Sequence, residues 1–111
     1  MSAKRRNKSP HWDAIKSYWG QAIPCESKQC MVCGKTDIPV KRSHILAHRD
    51  GGTFHLGNIH VLCYHHEEVS EYLAGEDYWD WFGLVRAAHG LPFNEGRAKK
   101  CADRFIPGFK T

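Results

Sequence analysis

The feature that most constrains this chain is a pair of pairs, Cys30-x-x-Cys33 and Cys63-x-x-His66, separated by 29 residues. Two intervening residues let both side chains of a pair reach one ion, and Gly34 permits the tight turn that follows the first pair. Thiolate and imidazole donors favour zinc among the divalent ions, and a closed four-ligand shell is structural, leaving no position for a substrate. The residues between the pairs must therefore form a compact unit that brings the chain back to its starting point. Cys25 in place of a cysteine partner, or His65 in place of His66, does not preserve the two-residue spacing. Cys25 and Cys101 accordingly read as free buried thiols.

Five cysteines, an odd number, behind a basic and polar start from Met1 to Lys8 argue against a disulfide scaffold and against a secretory signal. No apolar run approaches the ~20 residues of a membrane span. The expectation is a soluble, cytoplasmic protein with one small core, to which a metal staple adds useful stability.

The patterning around the pairs gives an order of elements. Ser9-Pro10 reads as a helix start, with Trp12, Ile15, Tyr18 and Trp19 at helical spacing until Gly20. Residues 21 to 29 read as a connector. A strand is expected from Ile38 to Ala47, broken by Asp50-Gly51-Gly52, then a loop over 53 to 58 and a second strand from Ile59 to Leu62. The pattern predicts a helix from Tyr64 to Ala74, closed by Gly75. Another begins at Glu76 and Asp77 and stops at Gly90-Leu91-Pro92, packed on the first helix. The domain expected is 10 to 93, with its motif core at 30 to 75, between a basic arm at 1 to 9 and a basic tail at 94 to 111, where Ile106-Pro107-Gly108 argues against regular structure.

The net charge of +4 is unevenly placed. Lys4, Arg5, Arg6 and Lys8 have no acidic neighbour in the first ten residues, and Arg97, Lys99, Lys100, Arg104 and Lys110 outweigh Asp103 at the other end. Basic ends on a more acidic body suit either phosphate-touching arms or solubilising termini.

Five pieces in order, Cys30-x-x-Cys33, Ser43-His44-Ile45-Leu46, Asp50-Gly51-Gly52, Gly57-Asn58-Ile59 and Val61-Leu62-Cys63, make residues 30 to 75 similar to the HNH endonuclease family. The resemblance implies an α+β fold, a small zinc-stapled ββα-metal core flanked by N- and C-terminal helices. It implies DNA as the partner and phosphodiester hydrolysis as the reaction, leaving 5′-phosphate and 3′-hydroxyl ends. His44 takes the place of the general base, a task suited to an imidazole with an ordinary pKa of about 6.5. Asn58 takes the place of the asparagine that ties the loop to the histidine's backbone, since an amide donates and accepts at once. Zinc falls to Cys30, Cys33, Cys63 and His66.

Two departures from the family's pattern matter. His66-Glu67 stands where the family commonly has Cys-His, so the catalytic ion falls to Glu67, a hard carboxylate suited to Mg2+ or Mn2+. Ser43 stands before the base where an aspartate or histidine is common, which leaves phosphate oxygens and water to complete the shell. His48, His65, Glu68 and Asp50 are the candidate substitutes. Lys41, Arg42 and Arg49 flank the expected site and suit either backbone phosphates or a solvated strand face. The same departures motivate a second class, a non-catalytic zinc module that binds nucleic acid or a protein. Oligomeric state is not readable.

Overall fold

The hairpin at the centre of the molecule pairs β1 (Val40–His44) with β2 (Ile59–Cys63) in antiparallel register, from Val40 opposite Cys63 to His44 opposite Ile59. The computed structural model describes residues 10–46 and 51–103, and within them the fold is α+β, four helices around this two-stranded sheet. The expected strand from Ile38 is shorter at both ends because its partner runs out. β2 turns directly into α2 (Tyr64–Ser70) at Cys63, and at the other end a 3-10 turn, Leu56–Asn58, precedes it. Every residue of β2 is buried, whereas β1 keeps Lys41 exposed.

Helix α1 covers Trp12–Trp19 and begins later than Pro10. His11 is its N-cap, and its Nδ1 accepts from the Asp13 N–H at 3.2 Å. Ser9 lies outside the described residues, as do the rest of the basic arm, residues 47–50 and residues 104–111. Helix α2 ends four residues before Ala74. Ser70 Oγ donates to the Glu67 carbonyl at 2.7 Å, and the amides of Tyr72 and Leu73 bond three residues back, so the last turn tightens and stops. Helix α3 (Gly75–Ala88) is closed by Gly90 at φ +69° while the Leu91 amide donates to the Arg86 carbonyl.

The chain from Asn94, read as the start of a basic tail, instead forms α4 (Glu95–Asp103). Its inner face is small: Ala98 and Ala102, four residues apart, are fully buried. Lys99 fastens this helix to α3, lying 2.7 Å from Glu76 and 2.9 Å from Glu95, and these partners push its pKa up to about 12.

The core is built from aromatic rings arranged around one histidine. His60 of β2 is fully buried, with Trp19 at 4.5 Å and Phe82 at 4.7 Å between ring centroids, and shares a 2.6 Å hydrogen bond with the Tyr78 hydroxyl through Nδ1. Helix α3 meets α1 through Trp19 and Trp79, whose rings lie 6.4 Å apart. The Trp19 indole N–H is shared between the carbonyls of Leu56 and Ile59 at 3.1 and 2.9 Å, which fixes α1 to the entry of β2.

Burial pushes the His60 imidazole down to about 3 from its ordinary 6.5, with the Arg86 charge adding to the effect. The unfolded chain therefore takes up a proton at this side chain below pH 6.5, and the folded chain does not until about pH 3. The stability that neutral His60 contributes is complete above pH 6.5 and is lost progressively as pH falls from 6.5 to about 3. Urea titrations across this window should show His60→Gln with a shallower acid slope than the parent, by up to about 1.4 kcal/mol per pH unit. An unchanged slope would remove His60 from the acid response.

Candidate metal centre and the strand-end histidine

The two ligand pairs converge. One ligand atom from each of Cys30, Cys33, Cys63 and His66 lies within 4.8 Å of every other, and the three cysteines are buried. The local sequence explains the convergence. Cys63 is the N-cap of α2 and His66 its third residue, so cap and first turn present both side chains to one side. On the other side the Gly34 amide donates to the Cys30 carbonyl at 2.8 Å and the Cys30 amide to the Lys35 carbonyl at 3.0 Å, closing the knuckle, with Gly34 at φ +79°. A Cβ at Gly34 would also lie 3.1 Å from Leu91 Cδ1. The knuckle is tied to the sheet by Met31, whose amide donates to the Val61 carbonyl at 2.8 Å and whose sulfur accepts from the Val61 amide at 3.1 Å.

The donor set fits zinc. Tetrahedral coordination with Zn–S near 2.3 Å and Zn–N near 2.0 Å separates sulfur from nitrogen by about 3.5 Å. His66 Nδ1 lies 3.2 Å from Cys63 Sγ and 4.0 Å from Cys30 Sγ, values that bracket it. Burial pushes the Cys30 thiol up, and backbone N–H groups of Cys33, Cys63 and Val32 act to bring it down. Burial lowers the His66 pKa, with His65, His89 and Lys35 adding to the effect, so a neutral imidazole is available as a ligand. All five cysteines are free thiols, and Cys25 and Cys101 lie half-buried outside the cluster.

His44 ends β1 opposite Ile59, half-buried, with the Phe54 ring edge-on at 4.8 Å and its own Nε2 buried. Asn58 is fully buried and its amide is spent on backbone. Oδ1 accepts from the Leu46 amide at 2.7 Å, and Nδ2 donates to the carbonyls of Leu46 at 3.1 Å and Thr53 at 2.9 Å. One side chain thus closes the loop between the residues that follow His44 and the approach to β2, while the Ile45 amide donates to Asn58's own carbonyl at 2.8 Å.

Glu67 stands one residue past the last zinc-capable ligand and meets Lys41, whose Nζ is 3.7 Å away and lies over the Tyr64 ring at 5.6 Å. Burial, then a hydrogen bond with Glu71, raises the Glu67 pKa against the pull of Lys41. Among the described residues Glu67 belongs to no cluster of three metal-capable groups. Lys41 and His44, three residues apart on a strand, alternate to opposite faces. Ser43 is buried and pairs with His60. His65 and Glu68 are exposed on α2, and His48, Arg49 and Asp50 lie outside the described residues.

Arg42 is occupied: its guanidinium stacks 4.5 Å from the Trp12 ring and Nη1 donates to the Pro10 carbonyl at 3.1 Å. A second acidic group, Glu76, Asp80 and Glu95, has Lys99 between two of its members. Sequence reasoning missed Arg86, which is fully buried and donates only to backbone carbonyls.

Comparisons of this chain with protein-family models, with curated proteins and with solved structures found no match in any of the three.

Two outcomes are expected. The purified chain should carry one zinc per molecule by elemental analysis, and Cys63→Ser should lose most of it, with a fall in thermal midpoint. Asn58→Ala strands three backbone groups at once and should cost about 2–4 kcal/mol in urea unfolding, and Asn58→Asp should rescue none of it, because a carboxylate oxygen would face the carbonyls of Leu46 and Thr53.

Proposed function

We propose that this chain is a metal-dependent DNA endonuclease of the HNH type, with His44 as general base. The reading rests on one arrangement: an antiparallel hairpin running directly into a helix, with four zinc-capable side chains across its base, His44 at the end of its first strand and Asn58 holding the loop behind it. In the proposed reaction the His44 imidazole accepts a proton from water. The water oxygen bonds to phosphorus as the bond from phosphorus to the 3′ oxygen breaks, leaving a 5′-phosphate and a 3′-hydroxyl. Mg2+ or Mn2+ would supply charge stabilisation at the phosphate and the departing oxygen, with Glu67 as the carboxylate proposed to hold it although Lys41, its ion-pair partner, stands on the strand face opposite His44. Lys41, exposed beside Glu67, supports contact with a flanking phosphate.

A second reading, a non-catalytic zinc module that binds nucleic acid or a protein, is favoured by two observations. Lys41 is already the cationic partner of Glu67, and His44 Nε2 is buried.

Incubating supercoiled DNA with the purified protein and Mg2+, Mn2+ or EDTA separates the readings. The nuclease nicks or linearises DNA with metal and not with EDTA, and His44→Ala lowers the rate by about 10²–10⁴-fold with zinc content unchanged. Retention of DNA without strand breaks supports the module. Equal cutting by parent and His44→Ala excludes His44 as the base.

A further inference from the structure

We infer that Arg86 is a positioning residue of the metal centre: its buried guanidinium is the counter-ion of the anionic zinc–thiolate cluster and anchors the knuckle turn through the Met31 carbonyl. The inference rests on the cluster holding zinc.

Arg86 has no solvent exposure. Its Nη1 donates to the Met31 carbonyl at 2.6 Å, inside the Cys30-x-x-Cys33 turn. Its Nη2 donates to the carbonyls of Pro24 at 3.1 Å and Pro92 at 2.6 Å, and its Nε also reaches Pro92 at 2.9 Å. Each of these acceptors is a neutral carbonyl, and among the described residues Arg86 makes no ion pair with a carboxylate. A guanidinium stays charged at any ordinary pH and is costly to bury without an anion.

The anion available is the cluster. Three thiolates and a neutral imidazole around Zn2+ carry a net charge of −1, which Arg86 balances. Cys30, one of the four ligands, adjoins Met31, whose carbonyl Arg86 grips at 2.6 Å. With metal bound, the net negative charge of the cluster and the buried guanidinium compensate each other. Metal binding and Arg86 therefore stabilise each other, as outer-shell partners commonly do.

Equilibrium competition of the full chain with a chromophoric zinc chelator tests the inference. Arg86→Gln should lower zinc affinity by about ten- to a hundredfold, while the Co2+-loaded protein keeps a tetrahedral ligand-field spectrum. In a Cys33→His background the cluster is neutral, and the same Arg86→Gln change should cost far less affinity. A structural brace alone would cost the same in both backgrounds, and that result, or wild-type affinity in Arg86→Gln, overturns the inference. If Arg86→Gln does not fold even with excess zinc, Arg86→Lys decides. It keeps the charge and loses the three-carbonyl fork, so zinc affinity should fall less than is expected of Arg86→Gln while the thermal midpoint falls. Parallel loss of both would overturn the inference. Absence of bound zinc in the parent chain would defeat the cluster reading itself, a result distinct from zinc bound with affinity indifferent to Arg86.

Discussion

Three sulfurs and one imidazole nitrogen meeting at the base of a two-stranded hairpin set the geometry of everything else in this protein. A hairpin of five-residue strands is marginal alone, and this one is held at its open end by the cluster and at its closed end by Asn58. The knuckle also lends the sheet a third contact, because Met31 exchanges backbone and sulfur hydrogen bonds with Val61 in the manner of an added strand. The position of His44 follows from this frame.

The helices solve a different problem. β2 is buried along its whole length, so both of its faces need cover, and α1 and α3 supply it on the side of His60 with Trp19, Tyr78, Trp79 and Phe82. Trp19 and Tyr78 each bring a polar tip into the interior. The tips are used to join elements: the Trp19 indole reaches two carbonyls at the entry to β2, and the Tyr78 hydroxyl reaches His60.

What could be read from the sequence was what is encoded over short distances. The ligand pairs, the Gly90 stop and the aromatic stripe of α1 each lie within a turn or two of chain, and each stands where spacing put it. Arg86 was not legible because its acceptors lie 55 and 62 residues away as well as nearby, and an arginine near a helix end reads as an ordinary dipole-compensating charge. Helix α4 was hidden by composition: Arg97, Lys99 and Lys100 dominate it, and only Ala98 and Ala102 mark its inner face. His60 sits among apolar neighbours on a buried strand, where nothing local distinguishes it from a surface histidine. The contact of Glu67 with Lys41 was not legible either, because it depends on how α2 lies on β1.

The amide of Asn58 grips the chain on both sides of the turn, at Leu46 and at Thr53. One buried side chain thus ties the chain that leaves β1 to the chain that approaches β2, so the strand register and the imidazole at the end of β1 depend on the same anchor.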